Sequence, residues 1–201
     1  MYATPDVDST VAHLEKLLGV RAAAGGQHLG HGTRNALLSL GPATYLEIIG
    51  PDPAQPDPPR PRFFGIDDLD EPRLVAWVGK ADDLDGRVMR ARKKGVELGE
   101  VRAGSRKKPD GTEVAWRATD AHATIADGIV PFFIAWTPES PHPATTSPTG
   151  CTLIALRAEH PDVEKTRRAL DAVGVSLPVT AGERAALIAT LETPYGPVEL
   201  R

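Results

Sequence analysis

Apolar side chains recur at helical spacing in three stretches, each framed by a capping residue and a glycine. In the first, Val7, Val11, Leu14 and Leu18 follow Asp6 and precede Gly19. That spacing predicts an Asp-capped helix over Asp6 to Leu18, with Gly19 as its left-handed stop. In the second, Asp82 or Asp83 caps a stripe of Leu84, Val88 and Ala91 that ends at Gly95. In the third, Pro161 stands in the first turn, Val163, Leu170 and Val173 share a face, and Gly174 closes the helix. The three stops are nearly evenly spaced along the chain, at a period too long for a solenoid of stacked repeats, so a duplicated small module is expected.

Between these helices the apolar pattern takes on the period of strands. Leu74 to Val78 precedes the second helix and Cys151 to Leu156 the third, whereas only Met1, Tyr2 and Ala3 stand before the first. Downstream of each helix lie paired strand candidates: Thr33 to Leu40 with Thr44 to Ile49, Glu113 to Thr119 with Val130 to Trp136, and Ala186 to Leu191 with Val198 to Leu200. Turns such as Leu40-Gly41-Pro42-Ala43 and Thr193-Pro194-Tyr195-Gly196 are short enough for hairpins. Each module therefore reads strand, helix, then antiparallel strands. Two proline-rich stretches, Gly50 to Arg62 and Thr137 to Thr149, divide the modules and read as linkers, barred from being helices or central strands. The expected organisation is module one over residues 1–50, module two over 63–136, the pair spanning 1–139, and a third C-terminal module over 150–201.

Composition narrows the function. With 41% apolar and 25% charged residues the 201-residue chain has the make-up of a folded domain, and its net charge of −4 removes the cationic field that nucleic-acid binding needs. No apolar run approaches the ~20 residues of a membrane span. The single Cys151 has no disulfide partner, which points to a reducing compartment, so a cytoplasmic protein is expected.

The stretch from Gly25 to Asn35, Gly-Gly-Gln-His-Leu-Gly-His-Gly-Thr-Arg-Asn, is the most unusual. No Gly-Lys-Ser or Gly-Lys-Thr follows it and no strand-turn-helix frames it, so it is neither a phosphate loop nor a dinucleotide fingerprint. Two readings stay open: a loop exposing His28 and His31, or the approach to a strand bearing functional groups. By strand alternation Thr33, Asn35, Leu37 and Ser39 share one face, and Tyr45 and Glu47 share one face of the next strand. A carboxylate in so apolar a strand calls for a metal, a cation or hydrogen-bond donors, unless Glu47 sits at a wet edge paired with Arg34. If the two faces adjoin, they form the mixed polar and aromatic patch of a small-molecule pocket. Trp77, Trp116 and Trp136 suit core packing, and the basic groups Arg90, Arg92, Lys93, Lys94, Arg106, Lys107 and Lys108 read as solvated surface. His142 lies in a rigid linker, either solvated or leaning over a pocket. No nucleophile motif occurs.

Taken together, Gly25-Gly26-Gln27-His28, Gly32 through Leu37, Tyr45-Leu46-Glu47, Pro131 through Trp136 and Pro141-His142-Pro143 resemble the glyoxalase-like domain family of the vicinal oxygen chelate superfamily. The resemblance implies an α+β fold in which paired βαβββ modules curl into a cup-shaped sheet around the site. It also implies a divalent metal, held by His, Gln or Glu on the first and last strands of the modules. Only Glu47 matches such a position clearly, with His28 as the second candidate ligand. The shortened first strand is expected to leave its neighbour with unpaired backbone groups, unless upstream residues or another chain supply them. The leading expectation is a pocket for a small organic molecule lined by His28, Thr33, Asn35, Tyr45, Glu47, Trp116 and His142. The alternatives are a metal-dependent lyase, isomerase or dioxygenase with Glu47 as catalytic group, and a sequestration protein of the bleomycin-resistance type. Because three modules cannot all pair within one chain, a homodimer is expected.

Overall fold

The computed structural model describes residues 1–201. Module one comprises β1 (Tyr2–Ala3), α1 (Val7–Leu18), β2 (Ala23–His28), β3 (Thr33–Gly41) and β4 (Thr44–Pro51). A short strand β5 (Arg73–Leu74) leads to module two: β6 (Val78–Lys80), α2 (Leu84–Lys93), β7 (Arg102–Lys107), β8 (Glu113–Ala118) and β9 (Phe132–Trp136). A four-residue helix α3 (Pro143–Thr146) precedes the C-terminal unit of β10 (Thr152–His160), α4 (Val163–Ala172), β11 (Val179–Ala181), β12 (Ala186–Thr193) and β13 (Gly196–Leu200).

The caps behave as their chemistry requires. Asp6 accepts from the Ser9 amide and Gly19 takes φ 73°, which fixes α1 at both ends. Asp83 accepts from Gly86 at the start of α2. For α4 the cap is Asp162, so Pro161 precedes the helix instead of standing in its first turn.

The first two modules form one nine-stranded sheet in the order β5-β1-β4-β3-β2-β7-β8-β9-β6. Its halves mirror each other: β1 runs parallel to β4 as β6 does to β9, and the halves meet where Gln27 of β2 faces Lys107 of β7. As expected of so short a strand, β1 reaches only Ile48 and Ile49 of the eight-residue β4. Tyr2 and Ala3 face Ile48 and Ile49 on one side and Leu74 and Arg73 on the other, so the short strand is covered on both edges. That pairing corrects the single strand expected over Leu74 to Val78. Its start serves β1 of module one, its end serves β9, and Trp77 between them donates its indole N–H to the Ile129 carbonyl at 2.7 Å.

The C-terminal unit keeps the succession of elements but changes the pairing. Its four-stranded sheet has the order β11-β10-β12-β13, with β10 inside and parallel to the strand after the helix. It packs within its own chain. Ala189 and Leu191 of β12 join the core formed by α1, β3 and β4, while Leu187 joins the core of α2 and β9. The ground for expecting a dimer, a third module with nothing to pair against, is therefore gone. No helix is long and apolar enough to cross a membrane.

Candidate functional site

The alternation of β3 and β4 sorts side chains to two faces. Leu38, Leu46 and Ile48 point to α1, whose Val7, Val11, Leu14 and Leu18 bury against them. In register, Asn35 lies opposite Ile49, Leu37 opposite Glu47 and Ser39 opposite Tyr45, so the two faces expected to adjoin do so. The concave side of the curled sheet encloses a cavity of ≈ 390 Å³, to which Asn35, Leu37, Tyr45, Glu47 and Ile49 contribute. Module two contributes Arg106 of β7, Trp116 of β8 and Phe132, Ile134 and Trp136 of β9. The proline-rich stretches are not passive linkers. Pro58 to Arg62 forms part of the cavity wall, pinned where Arg62 donates to the Gly32 carbonyl at 2.9 Å. The second stretch contains α3, which starts at Pro143 because proline lacks only an amide that a first turn leaves free.

At the floor sits a buried polar cluster. Asn35 donates through Nδ2 to Glu47 Oε1 at 2.8 Å, and His28 Nε2 lies 3.9 Å from the same oxygen. His28 Nδ1 shares a hydrogen bond with Thr33 Oγ1 at 3.0 Å. Burial holds the His28 imidazole below its ordinary range, against the opposing pull of Glu47, so the ring is neutral near pH 7. Glu47 is 9% exposed and owes nothing to Arg34, which pairs with Asp8 on the outside. Of the two readings of the glycine-histidine stretch, His28 belongs to the strand and the cavity, and His31 is exposed at the rim.

The walls are aromatic. Tyr45, His142, Trp136, Trp116 and His28 form a continuous series of edge-on ring contacts, with centroids 5.6, 6.1, 5.3 and 6.2 Å apart in that order. Six of the chain's ten Phe, Trp and Tyr side chains line this one cavity. Trp116 is thus a wall residue, as the pocket reading expected, Trp136 joins it, and Trp77 keeps the core role. Burial pushes the Tyr45 hydroxyl well above its usual range, so it remains protonated. Two expected lining residues stand one layer back. Thr33 supports His28, and His142 braces Tyr45 and Trp136 while Pro143 reaches the cavity.

Sequence reading missed Arg106. Grouped with Lys107 and Lys108 as solvated surface, it is 4% exposed and lines the cavity. The available signal was alternation: Gly104 and Arg106 share the inward face of β7, while Arg102 to Lys107 looks hydrophilic overall. The glycine pair of β2 accommodates it. A Cβ on Gly25 would overlap Asn35 Oδ1, and the Gly25 carbonyl accepts from the Arg106 guanidinium. Gly26 has φ 152° and lies so close to the Lys107 carbonyl that no side chain fits where the half-sheets join.

The donors do not fit a divalent ion. Glu47 and His28 come together as expected, but nowhere do three or more His, Cys, Asp or Glu side chains gather. One carboxylate, with Oε1 already bound by the Asn35 amide, and one imidazole leave most of a coordination shell to water.

Two mirrored βαβββ halves curled around a ligand-sized cavity define a small-molecule-binding architecture of the vicinal oxygen chelate kind. The family model for the glyoxalase-like domain matches residues 1–174, and the chain belongs to that family. Among solved structures it is similar to a hypothetical protein from Staphylococcus aureus, with a TM-score of 0.64 and 12% identity over 99% of this chain and 84% of the other. That likeness extends the shared fold through the C-terminal unit. No curated protein matches the chain.

Proposed function

We propose that the protein binds a small organic molecule in the cup, with Tyr45, Trp116 and Trp136 as its apolar walls and Glu47 as the hydrogen-bond acceptor on its floor. The observation that carries this reading is the concentration of six aromatic side chains around one ≈ 390 Å³ cavity over the His28–Asn35–Glu47 cluster. The test is calorimetric titration with compounds selected by thermal shift, in the wild type and in a Tyr45→Ala, Glu47→Gln double variant. Binding that weakens at least about tenfold in the double variant supports the placement; equal affinity removes it.

A second reading, turnover with Glu47 as the base, is favoured by the neutral His28 imidazole beside the carboxylate. Glu47→Gln separates the two: an enzyme loses turnover while the substrate still binds. Tight stoichiometric binding without turnover selects sequestration.

A further inference from the structure

The cavity holds one cation that no carboxylate of the protein bonds directly. Arg106 is 4% exposed, and its guanidinium bonds only to the Gly25 carbonyl, a neutral acceptor. The other arginines along the cavity are differently placed: Arg62 pairs with Asp57 and Asp67, Arg102 pairs with Glu100, and Arg60 stands in solvent. A guanidinium stays protonated even where burial lowers its pKa, as it does here. A desolvated cation without a partner is costly to the folded chain, and the N–H donors not spent on Gly25 form a planar fork that matches a carboxylate.

The surroundings limit the anion to a single charge. Glu47 lines the same cavity and its negative charge already acts on Arg106, while the imidazole at hand, His28, is neutral. A phosphate dianion would meet that carboxylate with only one buried cation to balance it. Beside Arg106 on the inward face of β7, Gly104 has no side chain because the Trp116 indole occupies that place, with Nε1 2.6 Å from where a Cβ would stand. Same-face positions two residues apart on a strand lie about 6.6 Å from each other, a span that takes a ring against the indole and an acid group on its rim at the guanidinium.

Building on the pocket proposed above, we infer that its ligand is an aromatic monocarboxylate whose acid group pairs with Arg106 and whose ring packs against Trp116.

The test compares 2-naphthoate and benzoate with 2-naphthamide and benzamide by calorimetry. The wild type is expected to prefer each acid over its amide by at least about tenfold, a charge-assisted pair replacing a neutral contact. In Arg106→Gln that preference falls to about one, and Arg106→Lys keeps part of it. The wild-type ratio needs no variant, so a misfolded substitution leaves the test intact. Acid and amide binding equally well, with affinity still dependent on Tyr45 and Glu47, overturns the inference and spares the pocket. Displacement of naphthoate by inorganic phosphate at lower concentration than by benzoate also overturns it. Failure of all four probes to bind overturns it too, and thermal-shift hits of other chemistry that depend on Tyr45 and Glu47 then show that the pocket itself stands.

Discussion

Replacing Gly25 by alanine probes the floor of the cup by adding one methyl group. The new Cβ would overlap Asn35 Oδ1 and come within 2.9 Å of Leu37 Cγ, two side chains that are only 5% and 4% exposed. Asn35 can yield only by giving up its bond to Glu47, a charge-assisted contact whose loss costs about 1.5–3 kcal/mol. Crowding Leu37 adds about 1–3 kcal/mol, and the stiffer unfolded chain returns about 0.4–1 kcal/mol. The net expectation is a loss of about 2–5 kcal/mol, a large part of the stability of a typical domain. Urea unfolding followed by tryptophan fluorescence measures it. Asn35→Ala removes the overlapping oxygen, so Gly25→Ala in that background should cost about 1–2 kcal/mol less than in the wild type. A Gly25→Ala protein within about 0.5 kcal/mol of the wild type, or strict additivity in the cycle, would refute the packing argument.

Other expectations rest on separate parts of the structure. Because burial lowers the His28 pKa, the unfolded chain takes up protons first as pH falls through the ordinary value of 6.5. Stability is therefore fully present above that value and declines below it, and His28→Gln should show a shallower decline in urea midpoint; identical declines contradict this. Gly26→Ala places a side chain against the Lys107 carbonyl at φ 152° and should cost about 2 kcal/mol or more at the joint of the half-sheets, read by thermal unfolding. Leu191 is fully buried in the core shared by α1 and the C-terminal sheet, so Leu191→Ala should cost about 2–5 kcal/mol. Calorimetry of that variant should show one transition, since the same core binds both sheets; two separate transitions would contradict it.

The parts of the fold visible in the sequence are those written in local periodicity. The three helices, the aspartate caps of α1 and α2 and the β3–β4 hairpin follow from spacing and turn chemistry, and the hairpin alone placed Asn35, Tyr45 and Glu47 on one wall. The strands that were missed have patterns set by long-range pairing. β2 is glycine-rich because it passes close to Asn35 and β7, and β7 is rich in charges because one side faces solvent and the other faces the cavity. For the same reason Arg106 was unreadable: a buried arginine and a surface arginine look alike until the sheet closes. The proline-rich stretches signalled turns correctly, but nothing local indicated that Pro58 to Arg62 folds back over the cup. Equal spacing of the helix stops also suggested three equivalent modules, whereas strand order separates the third from the first two.

The placement of the ligand site against the wall formed by Trp116 and Trp136 is tested most directly by emission from those two residues alone. Trp77→Phe removes the one tryptophan that packs in the core away from the cavity. Titrating this variant with a calorimetrically verified ligand should give a saturable change in fluorescence with the same Kd as the heat signal. Heat of binding without any change in emission from Trp116 and Trp136 would place the ligand elsewhere and contradict the account.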